Sequence, residues 1–90
     1  MRRDSVRYEI RVVASAHKQL DKLSPEVRER ILHRLFDLER EPRPVNSRKL
    51  KGHRGEYRLR IGDYRVIYEI DDRNKVLIVL KCMHRGEIYR

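Results

Sequence analysis

The sequence predicts an α+β fold with the order β-α-α-β-β-β: a small four-stranded, mostly antiparallel sheet with a helical hairpin packed on one face. Three features carry that expectation. A two-residue turn signal, Gly62-Asp63, lies between alternating apolar runs in "YRLRIGDYRVIYEI" (57–70). Two helical periods follow one another in 15–41, and an apolar run at 76–80 reads as a strand inside a sheet.

The first strand is "VRYEIRV" (6–12), whose alternation puts Val6, Tyr8, Ile10 and Val12 on one face. "SAHKQLDKL" follows, with Ser15 as the expected N-cap and Ala16, Leu20 and Leu23 at helical spacing. The second helix is the clearest element. In "SPEVRERILHRLFDLERE", Ser24 caps, Pro25 takes the first helical position and Glu26 sits in the first turn, where a carboxylate complements the helix dipole. Its apolar stripe is Val27, Ile31, Leu35 and Leu38, flanked by Leu32 and Phe36; Pro42 ends it and Pro44 keeps the chain extended. Residues 45–55 read as a basic connection.

Counting outward from Gly62-Asp63 fixes the hairpin register. Ile61 faces Tyr64, Arg60 faces Arg65, Leu59 faces Val66, Arg58 faces Ile67 and Tyr57 faces Tyr68. Tyr57, Leu59, Ile61, Tyr64, Val66 and Tyr68 then form a core face, while Arg58, Arg60 and Arg65 share the other. A turn at 71–74 leads to "KVLIVLKCM" (75–83). Apolar on both faces, this strand needs a neighbour on each side, and the first strand supplies one through the two-helix crossover.

The 90 residues are expected to form one domain, 1–90. No run of 18 apolar residues and no signal-peptide pattern occurs, so a soluble cytoplasmic protein is expected, without membrane contact. The single cysteine, Cys82, excludes an internal disulfide and reads as a small buried hydrophobe. His17, His33, His53 and His84 show no metal-ligand spacing with it, and neither a phosphate loop nor a nucleophile elbow is present.

Charge is more informative. The chain carries 23 Lys+Arg against 14 Asp+Glu, a net +9, and 17 of the basic residues are arginine. Residues 1–45 hold 11 basic and 8 acidic groups (11 − 8 = +3), residues 46–90 hold 12 and 6 (12 − 6 = +6), so the excess concentrates on the half that contains the hairpin. That bias points to a polyanionic partner, for which arginine is the better planar donor; a charge-rich, heat-adapted surface is the plainer alternative.

The open sheet face is the candidate site. Arg58, Arg60 and Arg65 converge there, with Lys49, Lys51, His53 and Arg54 on the preceding loop and His84, Arg85, Tyr89 and Arg90 in the tail "HRGEIYR". Two arginines directly opposed across strands cost a few tenths to about 1 kcal/mol, a cost that a bridging anion would relieve. A lone strand arginine is more often a solvated gatekeeper; the opposed pair and the basic tail favour a phosphate site. Cleavage of RNA requires activation of the 2′-hydroxyl, charge stabilisation at phosphorus and an acid for the leaving oxygen. Arginine supplies only the second, Tyr89 and His84 are the candidates for proton transfer, and no carboxylate cluster offers itself to magnesium. On the residues alone, an assisted nuclease and a simple RNA-binding module both stay open.

Nearly the whole chain resembles the RelE/ParE toxin superfamily, and within it the RelE-type messenger-RNA interferases. "AHKQLDKLSPEVRERILHRLFDLEREPRP" resembles the family's helical hairpin, "KLKGHRGEYRLRIGDYRVIYEID" its most diagnostic stretch, and "HRGEIY" its C-terminal signature. The resemblance implies a RelE-like fold and a type II toxin that cuts translated mRNA in the ribosomal A site. It also implies metal-independent 2′-hydroxyl attack without a cofactor. The implied partners are the ribosome with its mRNA and a RelB-like antitoxin, in a toxin–antitoxin hetero-oligomer. Family positions match Arg58, Arg60, Arg65, Arg85 and Tyr89. Arg65 and Arg85 would stabilise the phosphate and transition state, and Tyr89 would stack on a base. Lys49, Lys51, Arg54, His84 and Arg90 are the expected further RNA contacts.

Some relatives have lysine where this chain has Arg58 and Arg60, which leaves the general base unassigned and opens that duty to His84. The Arg85–Tyr89 spacing is short and no terminal helix is expected. A ParE-like inhibitor of DNA gyrase and a non-catalytic module binding RNA or an acidic partner are the alternatives.

Overall fold

The computed structural model describes residues 7–52 and 55–88, the side chains of 87 and 88 excepted. Val6, His53, Arg54, Tyr89 and Arg90 lie outside the described residues. The elements run β1 (Glu9–Val12), α1 (Ala14–Asp21), α2 (Pro25–Asp37), β2 (Ser47–Lys49), β3 (Glu56–Ile61), β4 (Tyr64–Asp71), β5 (Val76–His84) and α3 (Arg85–Ile88). The class is α+β as expected, but the sheet has five strands, ordered β1-β5-β4-β3-β2. β1 runs parallel to β5 and every other pairing is antiparallel.

The additional strand, β2, lies within the expected basic connection. "SRK" is too short and too uniformly polar to show a period of two. The edge of β3 recruits it: Leu50 N–H donates to the Glu56 carbonyl (2.9 Å), and Ser47 donates from both N–H and Oγ to the Pro44 carbonyl (2.9 and 2.7 Å). Gly52, at φ +77°, gives the return its left-handed corner.

α1 starts two residues before the expected position. Val13 N–H pairs with the Val79 carbonyl (3.1 Å) as the β1–β5 ladder ends, and the Val13 carbonyl accepts the first helical bond from His17 (3.0 Å). Val13 is therefore the N-cap, with no side-chain cap bond, and Ser15 lies inside the first turn. α2 follows expectation, with Ser24 Oγ accepting from Val27 N–H (3.4 Å) and Pro25 at the first position. It ends at Asp37, several residues before Pro42, through three-residue bonds such as Leu38 N–H to the Leu35 carbonyl. Ile31, Leu35 and Leu38 are buried and Val27 partly so, whereas the flanking Leu32 and Phe36 point outward, Phe36 being 68% exposed.

The hairpin register is the expected one at every rung. Gly62 has φ +60° and Asp63 does not share the positive φ, which is a type II′ turn with glycine required at its first central position. Ala16, Leu20, Ile31, Leu35 and Leu38 from the helices close on Leu59, Ile61, Val66, Tyr68, Ile70, Leu77, Val79 and Cys82 from the sheet. Burying such side chains contributes about 1.5–3 kcal/mol each.

A β-bulge at Leu80 reverses the alternation of β5. Ile67 faces Lys81 but Tyr68 faces Val79, so Leu80 is the extra residue. Leu77 and Val79 face the core before it and Cys82 after it. Without that shift Lys81, opposite Ile67, would be driven into the core.

A polar clasp ties the segment after α2 to the end of β4. Arg43 donates to Asp72 (2.7 Å, Nη2 to Oδ2) and to Tyr57 Oη (2.9 Å), while Tyr8 Oη donates to Asp72 Oδ1. Hydrogen bonds from Arg43 first, and then Tyr8, hold the Asp72 carboxyl down to about 2, and the same contacts raise the Arg43 guanidinium above its ordinary value. Tyr68 donates to the Pro42 carbonyl (2.7 Å), and burial pushes its phenol up to about 12.

Candidate phosphate-binding face

Because the helices cover the Tyr57/Leu59/Val66 face, the opposite face of β2–β3–β4 is left open, and its side chains follow from register alone. Arg60 stands opposite Arg65, as the sequence requires, and Arg58 stands opposite Arg48 of β2. These four arginines line one cleft of about 400 Å³ together with Val45 and Asn46. Arg48 and Arg60 are exposed, Arg58 and Arg65 half-buried. Among the described residues none of the four forms an ion pair with a carboxylate, in contrast to Arg43. Arg65 is tied to its own turn instead: Nη1 donates to the carbonyls of Tyr64 (3.1 Å) and Gly62 (3.3 Å).

The basic cleft has a sharp end. One rung beyond Arg58, Glu56 stands opposite Glu69, so the face changes sign toward that end of the hairpin. Beside the cleft, Leu50, Ile67, Leu80 and Met83 floor a groove of about 370 Å³ whose charged walls are Glu56, Lys81 and Arg58, the last shared with the cleft. A larger cleft, about 550 Å³, lies at the end of α2 between Phe36, Leu38 and Pro44, but Arg34 and Arg40 alternate there with Asp37 and Glu41. Mixed signs give no anion site.

The structure separates the other expected contacts. Lys49 faces Tyr57 and therefore lies on the helix-covered side of the sheet edge, not with the arginines. Lys51 is exposed in the turn after β2, at the end remote from Gly62-Asp63. His84 faces Tyr64, again on the helix side, where the two rings meet edge-on (5.3 Å) and His84 Nδ1 accepts from Gly86 N–H (3.2 Å). The bulge at Leu80 causes this placement: with regular pairing past Tyr68, Cys82 rather than Met83 would face Arg65 and His84 would fall on the open side. The open-face duty expected of Lys49 and His84 thus meets a geometric objection.

Arg85 is exposed and opens α3, a single helical turn where no terminal helix was expected. Its N–H donates to the Asp63 carbonyl (2.7 Å), which fixes that turn beside the hairpin tip, at the Arg60–Arg65 end of the sheet. Arg54, Tyr89 and Arg90 lie outside the described residues. Arg48 is the cleft residue that sequence reasoning missed. Its only signal is that antiparallel continuation of the sheet past Tyr57 puts it across from Arg58.

The sequence model for the ParE toxin of type II toxin–antitoxin systems (parDE) matches residues 10–89. The chain belongs to the RelE/ParE toxin superfamily. Toxin RelG of Mycobacterium tuberculosis is 34% identical over 84 residues, 92% of this chain and 97% of the relative. Among solved structures, the chain is similar to the archaeal RelE–RelB complex of Pyrococcus horikoshii (36% identity, 88% of this chain and 96% of that one, TM-score 0.79). It is also similar to the isolated Escherichia coli RelE toxin (28% identity, 91% and 90%, TM-score 0.76). This superfamily membership makes the chain a RelE-like toxin of a type II system.

Proposed function

We propose that this toxin is a ribosome-dependent endoribonuclease that cuts translated mRNA in the A site. The observation that carries the reading is the cleft of Arg48, Arg58, Arg60 and Arg65, four guanidiniums that no carboxylate among the described residues neutralises. In the proposed reaction the 2′-oxygen attacks the adjacent phosphorus and loses its proton. The bond from phosphorus to the 5′-oxygen breaks, and that oxygen takes up a proton. The products are a 2′,3′-cyclic phosphate and a 5′-hydroxyl. Guanidinium forks aimed at the non-bridging oxygens stabilise the charge that grows on them, a role that does not require the arginines to exchange protons.

The ribosome and its mRNA, in the cytoplasm, are the proposed targets, and a RelB-like antitoxin is the proposed inhibitor. RelE–RelB complexes among the structural relatives support that partner. Acidic antitoxin residues laid over Arg58, Arg60 and Arg65 would neutralise the face, with binding that weakens as salt rises. Primer extension on mRNA, with and without programmed ribosomes, tests the nuclease reading: cuts should require ribosomes and disappear in Arg65→Ala and Arg85→Ala. The family model's ParE description favours a second reading, inhibition of DNA gyrase by binding. Loss of gyrase supercoiling in the presence of the toxin, with no mRNA cut under any condition, would establish that reading instead.

A further inference from the structure

We propose that Arg48 and Arg58 form a second phosphate seat beside the one framed by Arg60 and Arg65, so that the cleft grips two successive phosphates of a single-stranded RNA. The inference rests on the RNA reading above and adds the number of phosphates held and the residue responsible. Each rung sets two arginines side by side on one face, their Cβ atoms about 5 Å apart. Two guanidinium forks at that separation can donate to opposite edges of a single phosphate. The two seats lie on either side of β3, offset by two residues along it and by one strand spacing across it, roughly 8 Å between their centres, a span that two phosphates of an extended strand can bridge diagonally. Beyond Arg58 the next rung is Glu56 opposite Glu69, so the basic track stops after two seats.

The second seat is built rather than incidental. β2 exists only as a three-residue edge strand, and its approach is locked by the double donation of Ser47 to the Pro44 carbonyl. That turn also brings Asn46 to the cleft wall, where its amide can add a neutral donor.

The test compares wild type with Arg48→Gln, titrated by NMR with a dinucleoside monophosphate (one phosphodiester) and a trinucleoside diphosphate (two). For the longer ligand, the variant should bind about tenfold more weakly at low salt. Its slope of log affinity against log salt should fall by about 0.7, the loss of one phosphate contact. The shorter ligand, which the Arg60–Arg65 seat still holds, should lose no more than the roughly twofold statistical factor of one seat in two. Arg48→Lys should keep the slope while losing part of the affinity, because it retains the charge but not the planar fork. A thermal midpoint for Arg48→Gln no lower than wild type guards against misfolding. Equal losses on both ligands, or no loss on either, overturn the second seat. Failure of wild type to bind either ligand overturns it as well. Absence of ribosome-dependent cuts with two-seat binding intact would sink only the nuclease reading.

Discussion

Replacing Arg60 by glutamine should make the protein more stable and less able to act on phosphate. The rung Arg60–Arg65 opposes two cations on one face, and no described carboxylate offsets them. Two unit charges roughly 6 Å apart in the dielectric of water repel by about 0.7 kcal/mol. Directly opposed strand pairs fall in a similar range, roughly 0.2–1 kcal/mol. Arg60 is the cleaner partner to remove, because Arg65 also donates to the Tyr64 and Gly62 carbonyls and its loss would mix two effects. A gain of about 0.5 kcal/mol corresponds to roughly 2–4 °C in the thermal midpoint of a domain this size. Urea unfolding at low salt should register the gain, and raising salt to 1 M, where the Debye length is about 3 Å, should erase most of it. Ribosome-dependent cleavage should fall by about 10²–10³, the usual cost of one donor to a developing oxyanion. An Arg60→Gln protein that is less stable at low salt, or a stability difference indifferent to salt, would refute the reasoning that the open face stores repulsion for an anion to discharge.

Two further outcomes concern the clasp and the core. Asp72→Asn should destabilise at neutral pH, and the difference from wild type should depend on acid. The folded Asp72 carboxyl is held down to about 2, below its unfolded value, so its contribution is fully present above the unfolded pKa and is lost as pH falls toward 2. Urea midpoints of both proteins at pH 7, 4.5 and 2.5 should therefore differ nearly equally at the first two and by much less at the third. Tyr68→Phe removes the bond to the Pro42 carbonyl and should cost about 1 kcal/mol. In wild type the folded phenol is raised to about 12, so its contribution is complete below about pH 10 and lost as pH rises through 12. Alkaline titration of tyrosinate absorbance in the folded protein should show one phenol that ionises last, absent from the variant.

What was legible in the sequence, and what was not, divides along one physical line. Rungs that follow from a short turn are local, so Gly62-Asp63 sufficed to place Arg60 against Arg65 and the tyrosines against the core. The interior position of β5 was equally open to reading, since Val76 to Leu80 are apolar on both faces and only a parallel β1 could flank them. Features decided by a neighbouring strand's edge were hidden. β2 has no pattern of its own, and without it Arg48 looks like one more loop cation instead of the fourth wall of the cleft. The Leu80 bulge was hidden for the same reason. No residue in "KVLIVLKCM" marks it, yet it decides whether Met83 or Cys82 faces Arg65, and with that the side on which His84 lies. The cost of two arginines on one rung is therefore half of a larger one. Arg48 opposite Arg58 repeats it on the neighbouring strand, and a fold that accepts the same penalty twice, on adjacent rungs of one cleft, is arranged for a ligand that carries negative charge at that spacing.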